Sequence, residues 1–305
     1  MNRGWSYREQ VGRDSTGHTV LSYLTATRLH STETEWAARI DRGEVEVEGT
    51  RVRRDERLYP GQTVVWHRPP WDEMPVPTHY ALIHEDDAIV VVNKPSGLPT
   101  MPAGGFVEST LLALVRQQYP EASPLHRLGR GTSGLVLFAR HKQAASQLAR
   151  AWRDRTVKKT YRAIGLGITR AEMFVIDVPI GPVPHPLIGT VQAACEGGKP
   201  SHSVAVVLEQ RHDQTLFSIE ITTGRPHQIR IHMAYAGHPL IGDPLYEAGG
   251  GLKKHPGLPG DSGYFLHAEH LQFTHPSTGQ RMTVSAIPPP GLQTHQELVA
   301  SALAR

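Results

Sequence analysis

The chain has 305 residues, which suits one large domain plus a small one, and its 39% apolar and 20% charged residues are ordinary for a globular protein with a sizeable core. It has no run of ~18 apolar residues, and Met1-Asn2-Arg3-Gly4-Trp5-Ser6 lacks the apolar stretch of a signal peptide, so neither a spanning helix nor secretion is expected. The net charge of +3 excludes little by itself, whereas a single cysteine, Cys195, excludes an intrachain disulfide and a cysteine zinc cage and points to a cytoplasmic compartment.

Residues 15–70 read as a small module. Thr32 and Glu35 predict a capping box for a helix through Trp36-Ala37-Ala38-Arg39-Ile40, with Gly43 at its C-terminal end. Glu44-Val45-Glu46-Val47-Glu48 alternates as a half-buried strand, Gly49 turns, and Thr63-Val64-Val65-Trp66 returns. This helix, Gly, Val-x-Val-x-Gly and Pro60-Gly61-Gln62 order resembles an S4 RNA-binding domain. Residues 71–79, with Pro75-Val76-Pro77, read as a proline-rich linker, with the boundary near residue 75.

A second domain is expected over residues 80–292. Strands are predicted at 88–92, 135–139, 159–164, 175–180, 204–208 and 216–221. A basic amphipathic helix is expected over 142–155, with Ala145, Leu148 and Trp152 as its buried stripe, and another helix over 227–236. Many strands with few helices give an α+β class with a mixed, largely antiparallel sheet.

Charge is unevenly placed. From His126 to Arg162 the chain carries Arg127, Arg130, Arg140, Lys142, Arg150, Arg153, Arg155, Lys158, Lys159 and Arg162, with Asp154 as the sole acid. Such a block suits a polyanion better than a solvated surface, which usually balances its signs.

Two local motifs need separating from their look-alikes. Gly129, Gly131 and Gly134 spell G-x-G-x-x-G, but they precede a strand instead of following one and opening a helix, so a dinucleotide site is rejected. His227 and His232 are five apart with no acid between them, which points them to different helix faces and argues against a metal pair.

Taken together, the motifs are far more specific. Asn93-Lys94-Pro95-Ser96-Gly97, His126-Arg127-Leu128 with Thr132-Ser133-Gly134-Leu135, Lys159-x-Tyr161-x-Ala163 and Thr223-Gly224-Arg225-x-His227-Gln228-Ile229-Arg230-x-His232 come in the order found in the RluA-like RNA pseudouridine synthases. Ile241-Gly242-Asp243-Pro244-Leu245-Tyr246, Leu266-His267-Ala268 and Phe273-Thr274-His275-Pro276 continue the resemblance, which runs from about residue 80 to 290.

That resemblance implies isomerisation of uridine to pseudouridine in structured RNA, ribosomal more than transfer, with the base flipped into a pocket and no cofactor or metal. It assigns Arg127 to the space of the extruded base and Tyr161 to stacking on uracil. Arg225 becomes the partner of a catalytic aspartate. His126, Arg130, Lys159, Arg150, Arg153 and Arg155 fall on the RNA side. The resemblance also exposes a departure: the family writes His-Arg-Leu-Asp, with an aspartate that attacks C1′ or removes the C2′ proton, and here that position is Gly129. A further acid two residues on is replaced by Gly131. Two expectations follow. Either another acid, Asp243 first and Asp261 second, turns towards Arg225, or the chain is a catalytically inactive RNA-binding relative acting in RNA folding or ribosome assembly. A monomer without membrane or nucleotide partners is expected in both cases.

Overall fold

The computed structural model describes residues 1–303 and divides the chain into two compact units, Met1–Met74 with Pro184–Thr190, and Pro75–Val183 with Val191 onward. Among the described residues, no helix is long and apolar enough to cross a membrane.

The small unit contains β1 (Trp5–Gln10), α1 (Val20–Thr27), α2 (Glu33–Asp41), β2 (Val45–Val47), β3 (Thr50–Arg51) and β4 (Thr63–Arg68). Its strands pair antiparallel in the order β1-β4-β2-β3. The capping box forms, with the Glu35 amide donating to Thr32 Oγ1 at 3.3 Å and the Thr32 amide to Glu35 Oε2 at 2.7 Å. Two otherwise orphaned N–H groups of α2 are thereby satisfied. The helix then buries Trp36 and Ile40 among Val20, Leu24, Val45 and Val64. The unit begins well before residue 15, because β1 pairs along β4 from Trp5↔Arg68 to Gln10↔Thr63. Every residue of β1 is exposed or half-buried, so apolar alternation could not announce it. Residues 69–80 carry neither helix nor strand.

The large unit opens with β5 (Ala81–Glu85), β6 (Ile89–Lys94), α3 (Leu111–Gln118), β7 (Ser123–Pro124), β8 (Ser133–Ala139), α4 (Lys142–Arg153) and β9 (Lys158–Leu166). It continues through β10 (Met173–Ile176), β11 (Ile180–His185), β12 (Gly189–Ala194), β13 (Ser203–Arg211) and β14 (Gln214–Ile221), with the tip of β11 and β12, Pro184–Thr190, counted with the small unit. The rest is α5 (Gln228–Tyr235), β15 (Leu266–Thr274), β16 (Arg281–Ser285) and α6 (His295–Leu303). Ten strands form one sheet in the order β10-β13-β14-β9-β15-β8-β6-β5, with β16 on β15 and β7 on β8. Among the described residues of this sheet only the β8–β15 pairing is parallel, so the fold is α+β with a largely antiparallel sheet, as the strand-rich pattern predicts.

Side-chain alternation distributes the apolar runs between two cores. From β6 and β8, Val90, Val92, Val136 and Phe138 face one core with Leu111 and Val115 of α3 and Ile229 and Met233 of α5. Ile89, Val91, Leu135 and Leu137 face the other with Ala144 and Leu148 of α4. Both faces are covered, which explains the continuous apolar runs. Two expectations are corrected. The strand over 175–180 is split, because β10 ends at Ile176 and Asp177-Val178-Pro179 lies outside any strand, Pro179 having no N–H to extend a ladder. The unit also continues past 292 into α6, where Arg162 joins Glu269 at 2.8 Å and Glu297 at 2.6 Å.

One close approach sets the middle of the sheet. Gly134 has φ +110°, and a Cβ there would lie 2.3 Å from the Ala268 carbonyl oxygen. Only glycine lets β15 settle beside β8 at this point.

Candidate active site

The loop between β7 and β8 is clamped from below by the segment after β6. Lys94, fully buried, donates from Nζ to the carbonyls of Pro95 (2.9 Å), Leu98 (2.7 Å) and Arg130 (3.3 Å). Three carbonyls match the three protons of an ammonium group, while burial pulls its pKa down to about 7. Ser96 Oγ donates to the Gly131 carbonyl at 2.7 Å and Thr100 Oγ1 to that of Leu128 at 2.8 Å. The Asn93–Gly97 motif therefore holds the His126–Thr132 loop and stays out of the chemistry itself.

That loop, the end of α4, the start of β9, the β14–α5 turn and the entry to β15 enclose a cavity of about 520 Å³. This lies within the ~300–1,000 Å³ usual for small-molecule sites. Its lining includes Arg127, Arg153, Arg155, Lys159, Arg225 and Arg230, together with Tyr161, His126, His227 and Tyr264. Among the described residues, none that lines it is an Asp or Glu. Sequence distance is large, but strand register explains the meeting: Tyr161 of β9 lies opposite Ala268 of β15 and Ile219 of β14.

The electrostatics follow from burial. Tyr161 is 7% exposed, and burial pushes its phenol up to about 12, so it enters the site as a neutral hydroxyl. Burial and Arg155 push Lys159 down; its Nζ donates to the Thr223 carbonyl at 3.4 Å. Burial, then Lys159's charge, takes His126 down to about 3. Its Nε2 accepts from the Leu137 amide at 3.1 Å, and its ring stacks on Trp152 at 5.1 Å. His126 therefore lines the cavity as a neutral imidazole, with Nε2 committed to the backbone. His227, in the left-handed region at φ +59°, is likewise held neutral, near 3, by burial and Arg230, and its Nδ1 bonds Tyr246 Oη at 2.7 Å.

Other expected residues lie elsewhere. Arg130 and Arg150 are absent from the cavity lining; Arg130 Nε donates to the Gly260 carbonyl at 2.8 Å. Arg225 lines the cavity and donates from Nη2 to the Pro200 carbonyl at 3.4 Å, and its Nε is buried without a partner. Among the described residues, no carboxylate forms an ion pair with Arg225.

Neither substitute acid serves it. Asp243 is 1% exposed and pairs bidentately with Arg230, at 2.7 Å to both Nε and Nη2, while accepting from the Leu245 amide at 2.8 Å. Burial raises its pKa, but the Arg230 hydrogen bonds and charge outweigh this and hold it below the usual carboxylate value. Asp261 accepts from the Leu258 amide at 2.7 Å and does not line the cavity. Asp243 thus answers Arg230 and not Arg225, and Asp261 answers a backbone amide outside the cavity.

Sequence reasoning missed Arg230 and Tyr264. Arg230 lies between two aromatic rings, its guanidinium carbon 4.2 Å from the Tyr264 centroid and 5.0 Å from that of Tyr246. Tyr264 is 5% exposed, and its Oη lies 3.3 Å from Thr132 Oγ1.

Residues 88–235, which contain most of the cavity lining, match the family described as RNA pseudouridylate synthase. A Synechocystis sp. protein described as an RNA pseudouridine synthase is 40% identical over 278 residues, covering 90% of this chain and 96% of its own. The chain belongs to the RNA pseudouridine synthase family. Within that family of RNA-modifying isomerases, the ribosomal large subunit pseudouridine synthase D of Neisseria meningitidis is 34% identical over 88% of this chain and 74% of its own. Among solved structures, human RNA pseudouridylate synthase domain containing 1 superposes with a TM-score of 0.57 at 25% identity, over 76% of this chain and 98% of that one.

Proposed function

We propose that this chain is an RNA pseudouridine synthase acting on structured RNA, with ribosomal RNA as substrate. The cavity carries the reading: a pocket of about 520 Å³, roomy enough for a nucleoside, on a member of this family, with a neutral tyrosine and a cationic rim. Extrusion of a base gives the ring an aromatic surface at Tyr161 and leaves the flanking phosphates facing Arg127, Arg153 and Arg155. Two donors on cavity-lining residues, Arg225 Nε and Arg230 Nη1, are buried without partners. Unpaired buried donors are costly, and uracil has two carbonyl oxygens with which to satisfy such groups. The first unit, with its helix pair and Val45–Val47 strand, acts in this reading as an S4-like module that engages folded RNA. Ribosomal RNA is favoured by the similarity to synthase D, and a cytoplasmic site of action by the single cysteine.

A second reading has its own observation. A cavity without a carboxylate suits a relative that holds an extruded base and leaves it unchanged. Tritium release from RNA labelled at uridine C5, measured beside filter binding on the same transcripts, separates the two. Release with turnover is the expected result. Tight binding without release, across ribosomal and transfer RNA transcripts, would leave the holding role alone.

A further inference from the structure

We propose that the Tyr264 hydroxyl is the reacting oxygen of this site, occupying the space beside Gly129 where a side chain from the loop would otherwise stand. The inference rests on the synthase reading above.

The observation that carries it is steric. A Cβ on Gly129 would lie 2.9 Å from Tyr264 Oη, and the only other atom within 4 Å is Thr132 Oγ1 at 3.6 Å. A Cβ on Gly131 would lie 3.1 Å from Cε1 and Cζ of the same ring and 3.1 Å from Ser262 Cα. One phenol therefore fills the room of two side chains, and both glycines are the complement of that ring. Gly129 has no positive φ that would demand glycine for backbone reasons, so space is the reason that remains.

Elimination narrows the choice to the hydroxyls of Tyr264, Thr132 and Thr222, of which the Tyr264 oxygen lies nearest the place of a Gly129 Cβ. With no carboxylate in the lining, attack on a sugar carbon falls to hydroxyls and imidazoles. His126 is engaged with the Leu137 amide and His227 with Tyr246. Thr223 Oγ1 donates to Gln228 Oε1 at 2.8 Å. Tyr161 offers its ring to the base. Tyr264 Oη has a neighbouring hydroxyl in Thr132, and a cation lies over its ring, 4.2 Å from the centroid.

The step balances without a co-reactant. Tyr264 Oη forms a bond to C1′ as the C1′–N1 pair departs with the uracil, and the phenolic proton passes to N1. After the base turns, the C5–C6 π pair bonds to C1′, the C1′–Oη pair returns to the tyrosine oxygen, and the C5 proton restores the phenol. Tyrosine nucleophiles at an anomeric carbon have precedent in glycosyl chemistry.

The test uses the full chain, Tyr264→Phe, and the double variant Gly129→Asp/Tyr264→Phe, on a pool of unmodified ribosomal and transfer RNA transcripts tritiated at uridine C5. Tyr264→Phe removes one oxygen, and release is expected to fall at least ~100-fold with RNA affinity unchanged within about twofold. In the double variant the obstruction beside position 129 is gone, and release returns, now carried by the carboxylate introduced there. Release retained by Tyr264→Phe, or lost together with RNA affinity, overturns the assignment while leaving the synthase reading intact. A native chain that binds the pool and releases nothing overturns the synthase reading itself.

Discussion

Asp243→Asn isolates the charge of the most deeply buried ion pair beside the site. The asparagine oxygen can still accept from the Leu245 and Tyr246 amides, which the aspartate accepts at 2.8 and 3.1 Å through one oxygen. What disappears is the negative charge facing Arg230, and both side chains are at most 2% exposed. Removing one partner of a buried pair leaves an uncompensated guanidinium, which costs about 3–5 kcal/mol. Against a typical total of about 5–15 kcal/mol, that is a large fraction of the stability of the unit containing it. Urea unfolding followed by far-UV circular dichroism reads the loss; tryptophan fluorescence is a poor probe, because of the five tryptophans only Trp152 lies in the large unit. Adding Arg230→Met removes the stranded charge, so the double variant is expected to recover at least half of the deficit, a coupling that independent sites would not show. A loss below ~1 kcal/mol for Asp243→Asn, or a further loss on adding Arg230→Met, refutes the reasoning.

The remaining predictions concern acid stability and RNA. Burial raises the Asp86 pKa, but hydrogen bonds from His84, the Ala88 and Ile89 amides and His275 outweigh it and take the pKa down to about 2. A folded-state pKa below the unfolded one contributes stability that is complete above pH 3.8 and is lost as pH falls through about 2. Asp86→Asn should flatten that acid limb in thermal melts across pH 5 to 2, by about 1–2 kcal/mol after allowance for partial exposure; an unchanged limb refutes it. Replacing Arg153 and Arg155 by Gln should reduce the slope of log affinity against log salt by about 1–2 units, while Arg150→Gln, outside the cavity lining, should move it less. Equal effects from all three would mean that the cavity rim has no special claim on phosphate.

Legibility in the sequence followed burial. The valine run of β6 and the Leu135–Ala139 run of β8 were readable because both sheet faces are covered and apolar residues crowd together. β1 was invisible, since an exposed strand needs no apolar side of its own. In the site, Arg127, Tyr161, Lys159 and Arg225 were found through motifs, and all line the cavity. The roles of two arginines in one motif could not be told apart: the acid pairs with Arg230, and Arg225 keeps an unpartnered nitrogen, because which guanidinium meets Asp243 depends on how α5 packs. Tyr264 left no local signal. It follows a stretch rich in glycine and proline, and its importance appears only when its ring is placed against Gly129 and Gly131.

The place of β15 in the sheet constrains how the molecule can be made. This strand, drawn from residues 266–274, runs between β9 and β8 and links halves of the sheet that are synthesised long before it. A nascent chain leaving the ribosome therefore holds two unfinished sheet edges open until residues 266–274 emerge. Those edges are the species that chaperones would meet, and a stop codon before residue 266 would remove the keystone instead of trimming a tail.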